Sequence, residues 1–130
     1  MDITLNQAEK ALTLAHKKSQ EIGVPVNIAI MDTGGHLKLL VRMDNALIGS
    51  LDIAIQKAKT AMLFRMPSES VGEFLKPEAH AYGLENTNGF LVGFAGGLPI
   101  TSGSEIVGYI GISGGMISQD AVISKAGSVI

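Results

Sequence analysis

The chain has 130 residues, the length of one ordinary domain, with a formal net charge of -2 and no cysteine. Hydrophobic residues make up 46% and charged residues only 17%, against roughly 25% charged in an average soluble domain. These values exclude a basic field for nucleic acid, a polybasic segment for anionic lipid, disulfides, thiolate catalysis and cysteine-bound metals.

Thr4 with Gln7 three residues on forms a capping box. Leu5, Ala8, Leu12, Ala15, Ser19 and Ile22 then recur at helical steps, and Gly23 with Pro25 is a stop, so a helix is predicted over 4–23. Residues 24–31 and 37–43 are β-rich apolar runs. Between them stands Asp32-Thr33-Gly34-Gly35-His36, where either glycine can take a positive φ and Asp32 can cap the turn, so the two runs are predicted as a hairpin. A second helix is predicted over 50–65 with Ser50 as its cap, and a short one from Ser68 to Leu75. Residues 76–89 are polar and irregular, the longest loop.

Strands are then predicted at 90–95, 98–101 and 105–113, with a closing helix from Ser118. The order is α-β-β-α-(α)-β-β-β-α. Every β–β link reads as a hairpin, so the fold class is α/β (α+β) with a mainly antiparallel sheet. Helices are expected on both faces, because the strands are too apolar to face water on either side. A chain this poor in charge, with mean hydropathy +0.32, is expected to bury apolar surface against copies of itself. No basic-then-apolar leader and no run of about 18 apolar residues is found, so a cytoplasmic protein is expected.

Few constellations carry chemistry. Gly108, Gly111 and Gly114 lack the spacing of a dinucleotide loop and the lysine of a P-loop, so they are read as strand packing and a helix-leading turn. Ser113 lacks the setting of a nucleophile elbow. Lys57 and Lys59 lie about 200° apart on the second helix and are read as solvated. His16, His36 and His80 form no multi-histidine zinc motif. Haem iron asks for less, since one axial ligand in an apolar setting suffices. His16 borders the small-residue stripe of the first helix, against which a flat macrocycle could lie, and is the first choice as metal ligand. His36 follows the turn, within reach of Asp32, and His80 is read as solvated.

The runs VPVNIAIMDTGGHLKLLVRMD, LDIAIQKAKTAMLF followed by PS, YGLE, GGLPI and EIVGYIGISGG with QD, in that order, resemble the GlcG/HbpS family. Its domain is called haem-degrading and also occurs at the C-terminus of PduO-type corrinoid adenosyltransferases. The resemblance covers about residues 4–128 and implies a profilin-like fold with a five-stranded antiparallel sheet. It also implies homo-oligomers built from dimers, tetramers or octamers, and binding of haem or a related tetrapyrrole. The shared positions are Asp32, Gly34, Gly35 and His36 at the turn, and Gly111, Ser113, Gly114, Gln119 and Asp120 near the C-terminus.

The leading expectation is an oligomeric haem- or tetrapyrrole-binding accessory of a metabolic operon, linked to cobalamin-dependent diol or glycerol metabolism. His16 is its axial ligand, and His36, Asp32, Gly34 and Gly35 are further cofactor-binding candidates. One alternative is an enzyme on a small organic acid, with Asp32 and His36 as an acid–base pair under a 76–89 lid. Another is a ligand-free structural partner of a larger enzyme.

Overall fold

The computed structural model describes all 130 residues. Its elements are α1 (Leu5–Ile22), β1 (Asn27–Met31), β2 (Leu37–Arg42), α2 (Gly49–Phe64), α3 (Ser68–Leu75), β3 (Gly97–Ser102), β4 (Glu105–Ser113) and α4 (Ile117–Gly127). Two short 3-10 turns interrupt the long loop at Pro77–Ala79 and Leu84–Asn86. The four strands form one antiparallel sheet in the order β2-β1-β4-β3.

Alternation along the central strands sorts their side chains to two faces. Ile28, Ile30, Ile110 and Ile112 point one way and meet Ala8, Ala11 and Ala15 of α1 and Ile123 of α4. Ala29, Met31 and Tyr109 point the other way, onto Ala54, Ala58 and Ala61 of α2. Two helices thus lie on one face and α2 on the other, because both faces of β1 and β4 are apolar. Small residues on the helices let them approach closely. A Cβ at Gly111 would run into the backbone of Ala54 and Ala58, so that glycine holds α2 against β4.

Local signals account for the element ends. Thr4 Oγ1 accepts from the Gln7 amide at 3.1 Å, and Gln7 Oε1 accepts from the Thr4 amide at 2.9 Å, which satisfies two orphan donors of α1. Gly23 ends that helix in the left-handed region at φ 70°.

Four expectations need correction. Residues 90–95 are not a strand, so the sheet has four strands and not five. Their polar groups are met by the preceding loop and by side chains, not by a neighbouring strand: the Phe90 and Leu91 amides donate to the Thr87 and Glu85 carbonyls, both at 2.9 Å, the Val92 amide donates to Thr60 Oγ1 at 3.0 Å, and Ser68 Oγ donates to the Phe94 carbonyl at 2.6 Å. Gly93 lies so close to Gly72 of α3 that neither position has room for a Cβ. The segment is a strap across α2 and α3. Second, Ser50 is not the cap of α2; the helix begins at Gly49, and Ser50 is buried within its first turn. Third, β2 is not covered on both faces: Leu37 and Leu40 remain 47% and 40% exposed, since α2 lies over β1, β4 and β3. Fourth, Lys57 is not solvated but fully buried.

Candidate functional site

The Asp32–His36 turn is built around one carboxylate oxygen. Asp32 Oδ1 accepts from the Gly34 amide at 3.0 Å and the His36 amide at 2.9 Å, and the His36 Nδ1 lies 3.3 Å away. The Asp32 amide donates to the His36 carbonyl at 2.9 Å, closing the hairpin. Only Gly35 takes a positive φ, 85°; Gly34 serves by absence of a side chain, since a Cβ there would meet the His36 ring at 3.1 Å. Asp2 reaches in from the N-terminal segment and accepts from both the amide and the hydroxyl of Thr33, which hold its carboxyl below the usual carboxylate range.

The imidazole of His36 is 81% exposed at this tip, and no residue of Asp32, Gly34, Gly35 or His36 lines a depression. No residue of 76–89 lines one either, so the geometry gives an Asp32–His36 contact without a cleft for a lid to close. His80 is exposed, its ring edge-on to Tyr82 at 6.1 Å.

His16 has a different setting. It is half-buried on α1 and lines a groove of about 340 Å³ with Val41, Arg42, Met43, Asp44 and Gln20. The small residues beside it are not a platform for a macrocycle: Ala8, Ala11, Ala15 and Ser19 are fully buried against the sheet and α4. The open surface by His16 comes instead from the end of β2. The Met43 sulfur there lies 3.2 Å from Ser19 Oγ, which donates to the His16 carbonyl at 2.7 Å, and 3.5 Å from the Val26 amide. His16 and His36 sit at opposite ends of β2, about 17 Å apart along the strand at ~3.3 Å per residue, so the fold of one subunit does not bring them together. No group of three histidine or carboxylate side chains stands ready for a metal ion.

The sequence reading missed a buried ion pair. Lys57 Nζ donates to Asp120 Oδ2 and to the Ile112 carbonyl, both at 2.9 Å, under the ring of Phe94, whose centroid is 4.8 Å away. Asp120 Oδ1 accepts from the Gly115 amide at 2.9 Å, so one carboxylate both pairs with Lys57 and shapes the turn into α4. Burial pushes the lysine pKa down and the carboxyl pKa up, in each case against the pull of the partner. The signal was present: Lys57 lies in the Ala54, Ala58, Ala61 stripe, on the face that meets the sheet.

A further depression, of about 510 Å³, lies at the other end of the sheet between the two hairpin tips. Thr33, Arg65, Ser104, Glu105, Ile106 and Tyr109 line it.

A family described as "Haem degrading protein HbpS-like" matches residues 3–128. The chain belongs to the HbpS-like family. Among its relatives is an uncharacterized 15.0 kDa protein in the dhaT-dhaS intergenic region of Citrobacter freundii, 38% identical over 124 residues, 95% of this chain and 87% of that protein. The corrinoid adenosyltransferase PduO of Citrobacter freundii is 32% identical over 126 residues, 96% of this chain but only 38% of that enzyme. Among solved structures, a PduOC:heme complex superimposes with a TM-score of 0.90 at 30% identity, covering 98% of this chain and 93% of that one. The α+β architecture is therefore shared with HbpS-like proteins, and no helix here is long and apolar enough to cross a membrane.

Proposed function

We propose that this chain is the subunit of a homo-oligomer that binds haem or a related tetrapyrrole, with His16 as axial ligand to the iron. The carrying observation is the setting of His16: a half-buried imidazole facing a groove, with Val41 as an apolar wall and the Arg42 guanidinium at the rim. These residues suit a group that brings four ring nitrogens of its own and asks the protein for one more. Arg42 suits the propionate carboxylates of such a group, while Asp44 beside it sets the opposite sign at the same rim.

A groove of about 340 Å³ holds one edge of a macrocycle and not its whole face. A second copy of the chain supplies the other wall in this reading. Exposed Leu37 and Leu40 on the edge strand, with Leu47 and Ile48 after it, are the apolar surface such assembly would use. Bound haem supplies the iron and its redox chemistry; the protein's part is to hold it, orient it and limit its exposure to water.

The solved PduOC:heme complex supports the choice of cofactor. Likeness to the corrinoid adenosyltransferase PduO and to the protein between dhaT and dhaS supports an accessory place in cobalamin-dependent diol or glycerol metabolism. The test is a haemin titration followed at the Soret band, on the wild type and on His16→Ala and His36→Ala. Saturable binding lost only in His16→Ala is expected. Weak, unsaturable binding equal in all three overturns the reading.

A further inference from the structure

The depression between the hairpin tips bears on another kind of ligand. Tyr109 is only 3% exposed, yet its hydroxyl makes no hydrogen bond within the protein. Its ring is packed in the α2-facing core with Ala29, Met31 and Ala54, and the residue forms part of the cavity wall. The hydroxyl is not among the buried polar atoms left without a partner, so it opens to the cavity, where water or a guest meets it. Arg65, an exposed residue, lies on the same wall. It terminates α2 in the left-handed conformation at φ 52°, and its guanidinium has no carboxylate within 4.0 Å, since none of the chain's ion pairs includes it. Its charge acts on the phenol, lowering the pKa that burial, the larger effect, pushes up.

Glu105 stands at the rim with Ser104, one carboxylate oxygen accepting from the Met1 amine at 3.0 Å and the other left over. A cavity with an unpaired guanidinium, an unpartnered phenol and a carboxylate rim selects its guest by charge. Arg65 and Tyr109 together take a planar carboxylate, through charge-assisted hydrogen bonds. Glu105 repels a second negative charge and accepts from a hydroxyl.

We infer that the cavity between the hairpin tips binds a small hydroxy-monocarboxylate, with Arg65 and Tyr109 on the carboxylate and Glu105 on the hydroxyl. This does not rest on the haem reading, whose groove lies at the opposite end of the sheet.

Amide chemical shifts of the full chain, followed during titration with lactate, acetate, malonate and inorganic phosphate, test it. Lactate is expected to bind saturably in the millimolar range, shifting Thr33, Arg65 and Ser104 to Ile106, with acetate weaker and malonate weaker still. Arg65→Gln weakens lactate by about tenfold or more, the loss expected for one charge-assisted bond. Tyr109→Phe weakens it by several-fold and keeps the ring packing, and His16→Ala leaves it unchanged. Absence of saturable shifts, shifts unaltered in Arg65→Gln, or phosphate binding there in preference to lactate each overturns the inference.

Discussion

Two contacts between a carboxylate and a basic side chain stand at opposite extremes of this molecule. Asp32 and His36 meet at 3.3 Å on a hairpin tip, with the imidazole 81% exposed. Lys57 and Asp120 meet at 2.9 Å with side-chain exposures of 0% and 3%. In the sequence, Asp32 and His36 read as a capped hairpin turn that could also carry chemistry; in the structure Asp32 Oδ1 caps that turn. Lys57 passes in the sequence for a solvated lysine and Asp120 stands out only as a position shared with the family, yet the two join α2, β4 and the start of α4 in the core. Proximity on a turn is cheap to arrange, because water competes for the same groups; a charge pair in the interior must satisfy nearly every donor and acceptor it brings.

The sharpest way to test this contrast is to remove one partner from each pair. Lys57→Met leaves the Asp120 carboxylate buried without its cation and is expected to cost about 3–5 kcal/mol in urea unfolding. The double variant Lys57→Met/Asp120→Leu removes both charges and is expected to recover most of that loss. Its pH profile sharpens the comparison further. Burial, only partly offset by Lys57 and the Gly114 and Gly115 amides, raises the folded Asp120 pKa. The unfolded chain therefore gives up that proton first, and stability is lost as pH rises from the ordinary carboxylate range through the raised value. Burial lowers the folded Lys57 pKa, so stability is gained as pH climbs from that lowered value to the ordinary lysine range. Relative to the double variant, the wild type is expected to be least favoured across the neutral plateau and to gain on both flanks.

Effects at the exposed pair are expected to be smaller. Asp32→Ala removes the acceptor for the Gly34 and His36 amides and costs about 1 kcal/mol, since water reaches both donors. His36→Ala leaves those amide bonds in place and is expected to change stability by no more than about 0.5 kcal/mol. A loss of several kcal/mol for His36→Ala would erase the distinction between the two regions.

Periodicity and punctuation in the sequence carry most of the architecture. The capping box at Thr4, the stop at Gly23, the hairpin at 32–36 and the bounds of the Ser68–Leu75 helix and the 105–113 strand are where the local signals put them. The false strand at 90–95 shows the limit. Phe-Leu-Val is a strand-like run, but its amides are claimed by the Thr87 and Glu85 carbonyls and by the distant Thr60, and the Gly72–Gly93 approach leaves no place for a ladder. The candidate site was less legible. His16 could be singled out as a histidine beside an apolar stripe, yet the groove it lines comes from the end of β2 and not from that stripe. Tyr109 and Arg65 gave still less away, since a tyrosine in an apolar strand and an arginine before a proline turn are ordinary until the fold brings them together.

The strap at 90–96 also sets a clock within the molecule. It is fastened by a handful of hydrogen bonds, to the Glu85 and Thr87 carbonyls, Thr60, Ser68 and the Ile112 amide, and it carries the phenyl ring that roofs Lys57. A segment held by so few ties is drawn from the low-stability end of the fold and opens before the sheet does. Each opening bares the amine of Lys57, so its rate of acylation by an amine-directed reagent counts the excursions of the strap. The other lysines are labelled from the outset; Lys57 alone reports motion.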